Sequence, residues 1–261
     1  MLRRIQTFFD FLAYFFTAGT AHSVHSPFVF DFVTRVLNAR KQKPAYHGIE
    51  LVRTRMLASR SLVEVKPLGA SAGTQPRKVM LKTLTERTSK SAKFGELLER
   101  ICEYYQPQYA IEIGTSVGIS TLYQASGLTQ GYLLTLEGNE ASVKIARHNA
   151  EKLGFQNIQF VEGLFEQTLP MVVQAVPHID YVFFDGNHTM EATLAYFEQC
   201  LSKSHENTIF VFDDIRWSDD MFTAWQKIKN HDKVRVTVDL FFMGIVFFRP
   251  GQEKEHFTIR F

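Results

Sequence analysis

A chain of 261 residues with a formal charge of +2 has room for one sizeable core, or for a core plus an appendage. The near-neutral balance argues against nucleic acid as an obligatory partner, and no apolar run is long enough for stable membrane insertion. The two cysteines, Cys102 and Cys200, fall in helical patterns without metal-type spacing, which predicts reduced, buried thiols in a cytoplasmic protein.

At the N-terminus, Arg3 and Arg4 precede an apolar run ending at Phe16, which superficially mimics a signal peptide. Asp10 interrupts that run. Ile5, Phe8, Leu12, Phe15 and Phe16 recur at helical spacing, which predicts an amphipathic helix docked on the domain or at a homodimer interface. In Ala21–Phe30, His22 and His25 have no acid nearby, so Ser26-Pro27 reads as a helix start, with proline at the first helical position. Residues 1–92 read as a helical extension for substrate or oligomer contacts, without strand alternation. The small, polar stretch from Gly69 to Arg77 reads as a mobile loop able to close over a substrate.

Residues 93–261 alternate helix and strand patterns. Phe94, Leu97, Leu98, Ile101 and Tyr105 form a helix stripe ended by Pro107. Strands are predicted at Tyr109–Ile113, 133–136, 158–161, Ile179–Phe184 and 208–212, and a closing antiparallel hairpin over 234–240 and 244–248. The predicted fold is α/β, with a Rossmann-like, seven-stranded, mostly parallel sheet and helices on both faces. In such sheets, ligands lie beyond the carboxyl ends of the strands.

Those ends carry glycine turns and acids. The first reads Glu112-Ile-Gly114-Thr-Ser-Val-Gly118, whose glycines let the backbone approach a ligand. The spacing is not that of a pyrophosphate-binding turn, and it suits an adenosine with a cationic, phosphate-free tail. The second strand ends at Glu137, positioned for ribose hydroxyls or for a helix N-terminus. The third ends at Gly163, beside an adenine ring or in a plain turn. The fourth runs into Asp185-Gly-Asn-His188 and the fifth into Asp213-Asp214-Ile-Arg216. Three carboxylates on one edge repel one another, and a hard divalent cation such as magnesium relieves that. The alternative is that one acid caps a helix and another pairs with Arg216 or a lysine. His188 is suited to take a proton from an attacking hydroxyl, or is a solvated residue at the start of a helix.

In this order, the motifs resemble the class I S-adenosylmethionine-dependent methyltransferases. They are most similar to the metal-dependent O-methyltransferases of the catechol, caffeoyl-CoA and macrolide sugar types. The resemblance covers roughly residues 94–248. It implies S-adenosylmethionine as cofactor, a Mg2+ or similar cation, and a small hydroxylated acceptor. The implied cofactor residues are Glu112, Gly114, Thr115, Gly118, Ser120, Glu137, Gly163 and Asp185. The implied metal ligands are Asp185, Asp213 and Asp214, and the implied base is His188. Where catechol-type enzymes have Asp-Asn, this chain has Asp213-Asp214. Three other readings compete. An RNA-directed methyltransferase would use Arg35, Arg40, Lys41, Lys43, Arg53 and Arg55. An NAD(P)-dependent oxidoreductase would want a tighter glycine fingerprint. A non-catalytic binding module would keep the fold alone.

Overall fold

The computed structural model describes residues 2–39, 42–66 and 75–261, with side chains from residue 6 onward. Most of the predicted Gly69–Arg77 loop lies outside the described residues, as do Arg40 and Lys41. Eight strands share one sheet in the order β10-β8-β9-β7-β6-β3-β4-β5. They are β3 (Tyr109–Ile113), β4 (Tyr132–Glu137), β5 (Ile158–Glu162), β6 (Ile179–Phe184), β7 (Ser204–Phe212), β8 (Val236–Asp239), β9 (Gly244–Phe247) and β10 (Glu255–Thr258). Strands β3, β4 and β5 pair in parallel, while β8 and β9 form the expected antiparallel hairpin against β7. The eighth strand, β10, lies parallel to β8 at the sheet edge. It is polar and mostly exposed, so it carries little hydrophobic signal. A second, two-stranded ribbon joins β1 (Leu62–Val65) to β2 (Arg77–Met80), where no strand is evident from alternation. Four-residue strands that are mostly exposed give too short a pattern to read.

The chain divides into two compact units, Arg40–Ile179 and Met1–Ala39 with Asp180–Phe261.

The Arg40–Ile179 unit contains α3 (Pro44–Ala58), α4 (Leu81–Thr88), α5 (Ala92–Tyr105), α6 (Ile119–Gly127), α7 (Glu140–Lys152) and α8 (Phe165–Ala175). Tyr46, Ile49, Val52 and Met56 of α3 pack with Ile119, Leu122 and Tyr123 of α6 in one buried cluster. Helix α5 ends at Tyr105, where Gln106 turns left-handed (φ 46°) ahead of Pro107. Cys102 is buried and free, and burial pushes its thiol pKa up.

The other unit holds α1 (Leu2–Thr17), α2 (Pro27–Phe32), α9 (Met190–Leu201) and α10 (Asp219–Asn230). Its core is phenylalanine-rich. Phe184 stacks on Phe212 at 4.3 Å, Phe210 meets Phe248 edge-on at 4.9 Å, and Phe28 of α2 meets Phe247 at 4.9 Å. Pro27 opens α2 as expected, though the Ser26 side chain makes no cap hydrogen bond. Cys200 is likewise buried and free.

Helix α1 is docked, but not by the predicted stripe. Tyr14 and Ala18 are buried, and Phe11 meets Phe241 at 5.1 Å, whereas Phe8, Phe15 and Phe16 are exposed. The reason is polar. The Tyr14 hydroxyl donates to the Ile259 carbonyl at 2.5 Å and accepts from the Phe261 N–H at 3.0 Å, which orients the helix against the C-terminal strand. Burial raises the Tyr14 phenol to about 12. Its folded-state pKa lies above the unfolded one, so its contribution is complete below the unfolded pKa near 10 and is lost as pH rises through about 12. Alkaline unfolding of Tyr14→Phe should therefore lack the part of the stability loss that the native chain shows in that window. Equal alkaline curves for the two proteins would refute this.

Candidate active site

The turn after β3 is built from a buried carboxylate. Glu112 is fully buried, and both its oxygens are engaged. Oε1 accepts from Ser120 Oγ at 2.7 Å and Gln124 Nε2 at 2.6 Å, and Oε2 accepts from Thr121 Oγ1 at 2.5 Å and Thr135 Oγ1 at 2.7 Å. This clamps β3, β4 and the first turns of α6 together. Glu112 and Ser120, both expected at the cofactor, are joined to each other by one of these bonds and shape the turn. Thr115 is equally sealed, with its hydroxyl against Thr135 and the Leu136 carbonyl. The physical cause is the desolvation cost of a buried charge, which the four donors offset.

The glycines do different work. Gly114 sits at φ 107° and Gly118 at φ 86°, backbone that side chains rarely adopt. Gly118 precedes α6, and a Cβ there would come within 2.8 Å of the Ala146 Cβ in α7. It therefore lets two helices approach as well as closing the turn. Gly163 (φ 143°) donates its N–H to the Glu137 carbonyl at 3.0 Å, tying the end of β5 to that of β4.

Glu137 lies at the open end of this arrangement and is only partly buried. Its Oε2 accepts from the Ser116 N–H at 2.9 Å and its Oε1 from the Asn139 N–H at 2.8 Å. Asn139 itself caps α7, its side chain accepting from the Ser142 N–H. The side-chain cap of α7 is thus Asn139, while Glu137 accepts from the N–H at the same helix start. A rigid, partly open carboxylate beside a left-handed turn (Ser116, φ 46°) fits a vicinal diol such as a ribose.

In the other unit, Asp185 and His188 follow β6. The stretch Gly186-Asn187-His188 is a tight turn: the His188 N–H donates to the Gly186 carbonyl at 2.9 Å, and Asn187 (φ 65°) and His188 (φ 29°) are both left-handed. Backbone this unusual at a non-glycine residue concentrates at functional sites. His188 Nε2 lies 3.7 Å from Asp185 Oδ1. Thr189, whose hydroxyl accepts from the Ala192 N–H, caps α9, so His188 sits just outside the helix. After β7, Asp213 is buried and its N–H donates to the Phe184 carbonyl, and Asp214 turns left-handed (φ 53°).

Arg216 pairs with neither Asp213 nor Asp214. Its guanidinium makes a two-pronged contact with Asp239, at 2.7 and 2.8 Å, and lies 4.9 Å over the Phe241 ring. Asp239, at the end of β8, is a residue that sequence reasoning missed. An acid closing an otherwise apolar strand was its available signal. Asp185, Asp213 and Asp214 supply oxygen donors of the kind magnesium prefers. Among the described residues, however, they do not form a trio with carboxylate oxygens all within 4.8 Å of one another. Of the six cations an RNA partner would use, Arg35 pairs with Asp31, Arg53 with Glu50, and Lys43 with Glu99 and Glu103.

A family model described as a methyltransferase domain matches residues 111–215. The catechol O-methyltransferase of Mycobacterium tuberculosis is 30% identical over 131 residues, covering 49% of this chain and 58% of that protein. That of Niastella koreensis is 29% identical over 126 residues, covering 47% and 55%. The chain thus spans a little over half the length of these curated relatives. The crystal structure of an O-methyltransferase from Bacillus cereus in complex with SAH superposes with a TM-score of 0.59 at 21% identity, covering 84% of this chain and 96% of that one. Its likeness concerns the fold. Residues 111–215 thus resemble a methyltransferase domain, within a chain that shares its fold with that O-methyltransferase.

Proposed function

We propose that this protein transfers a methyl group from S-adenosylmethionine to a hydroxyl of a small molecule. The observation that carries the reading is Glu137, a half-buried carboxylate at the end of β4 that two backbone N–H groups hold at 2.8 and 2.9 Å beside the glycine turn. Bound, the cofactor supplies an electrophilic sulfonium methyl. Glu137 would hold the ribose hydroxyls, while Gly114, Gly118 and Gly163 keep the surrounding backbone in its left-handed path. Glu112, Thr115 and Ser120 would act indirectly, by fixing that path. His188 would take the proton of the acceptor hydroxyl, with Asp185 orienting the imidazole. A divalent cation remains part of the proposal, held by at most two of Asp185, Asp213 and Asp214 together with water, as magnesium tolerates. A homodimer through the N-terminal helices is kept as an alternative use of that region.

Titration calorimetry with S-adenosylhomocysteine tests the cofactor half. Glu137→Ala should weaken binding about 10- to 100-fold, the effect of losing charge-assisted hydrogen bonds. Unchanged affinity, or equal binding of NADH, would sink the reading. His188→Ala separates the acceptor half. Cofactor affinity should hold while turnover with a catechol-type acceptor falls about 100-fold. Parallel loss of both would remove the base assignment.

A further inference from the structure

Phe8, Phe15 and Phe16 of the stripe predicted for docking face solvent, while Leu12 is half-buried and the Ile5 side chain lies outside the described residues. Phe8 is 58% exposed, Phe9 60%, Phe15 42% and Phe16 76%, and Phe242 beside them is 42% exposed. The rings run together. Phe8 meets Phe9 at 5.9 Å, Phe16 meets Phe15 at 5.7 Å, and Phe15 leads through Phe11 to Phe242 at 6.4 and 6.0 Å. Taking roughly 200 Å² for a phenylalanine, the exposed part is about 550 Å², at the upper end for a patch without a partner.

Basic residues accompany it in the sequence and at its edge. Arg3 and Arg4 occupy the first turn of α1, and the Arg260 guanidinium lies 4.7 Å over the Phe15 ring. The helix has a single acid, Asp10, which accepts a hydrogen bond from Gln6 at 3.0 Å. We propose that this face of α1, with Phe242, docks on an anionic lipid surface. Phenylalanine rings enter the boundary between headgroups and acyl chains, and Arg260 meets the headgroup charge. A second copy of the chain fits less well, because a stable pair needs about 800 Å² from each partner. The helix lies on the surface and does not cross: among the described residues none is long and apolar enough to span.

Sedimentation of the full chain with vesicles tests this directly. Binding to phosphatidylcholine vesicles containing phosphatidylserine is expected, with much weaker binding to phosphatidylcholine alone and a loss at high salt. Phe8→Ser with Phe16→Ser should lower the bound fraction about tenfold. Both side chains are exposed, so the thermal midpoint should not move. Three outcomes overturn the proposal. One is no sedimentation with either vesicle. Another is a double variant that binds like the native chain. The third is a native dimer in sedimentation velocity that the double substitution dissociates, which would make a second copy the occupant.

Discussion

Asp239→Asn should destabilise the protein by about 3 kcal/mol, nearly as much as Asp239→Ala, although asparagine keeps the shape. The reason is the identity of the donors. Asp239 Oδ1 accepts from Arg216 Nη1 at 2.7 Å and the Phe241 N–H at 2.9 Å. Its Oδ2 accepts from Arg216 Nη2 at 2.8 Å and Trp225 Nε1 at 3.1 Å. An amide in that place must aim its NH2 at one of these pairs. A guanidinium, an indole and a backbone N–H have no lone pair to offer, so the clash cannot be relieved by rotation. The carboxylate is buried, whereas the Arg216 side chain keeps 21% exposure, so part of the arginine's loss is recovered by water. That places the effect toward the lower end of the 3–5 kcal/mol typical of a broken buried pair. The damage would also be local. Arg216 and the Ile215 N–H, which donates to the Phe242 carbonyl, fasten the Asp213-Asp214 loop to the β8–β9 turn. Urea unfolding of both variants checks this. An asparagine variant within 1 kcal/mol of the native chain, on the scale of an ordinary surface change, would refute the donor argument.

The strand ends were legible because each couples an apolar run to an acid or a glycine. Ile179–Phe184 followed by Asp185, and Phe212 followed by Asp213, leave little choice of register. Partner choice was not legible. Nothing in the order Asp213-Asp214-Ile215-Arg216 shows that the arginine reaches Asp239, because that pairing depends on where a hairpin places its turn. Helix α1 shows the same limit in another form. Its apolar residues cover so much of the helix that periodicity alone cannot select the docking side, and the choice falls to the Tyr14 hydroxyl, which finds backbone partners at Ile259 and Phe261. The β1–β2 ribbon was missed for want of length. Asp185, Asp213 and Asp214 were legible as acids at strand ends, yet their mutual geometry was not. A sequence gives the donors and their order along the chain, and the distances between oxygens come only with the backbone turns at His188 and Asp214.

Glu112 offers the complementary experiment, and here the conservative change should be tolerated. Glu112→Leu removes the acceptor from three hydroxyls and one amide that are buried at 6% exposure or less. Each donor left without a partner costs about 1–3 kcal/mol. Hydroxyls can turn to nearby carbonyls, so a total of about 4 kcal/mol is expected. Glu112→Gln behaves differently. Its carbonyl can keep Ser120 and Gln124, while its NH2 faces Thr121 and Thr135, whose oxygens accept once their protons rotate away. All four of these donors are neutral, so removing the charge also removes a desolvation cost. The glutamine variant should therefore unfold within about 1 kcal/mol of the native chain and bind S-adenosylhomocysteine with unchanged affinity, since the turn keeps its shape. Loss of cofactor affinity in a glutamine variant of native stability would show that the Glu112 charge itself is felt at the ligand. It would move this residue from building the turn to touching what the turn holds.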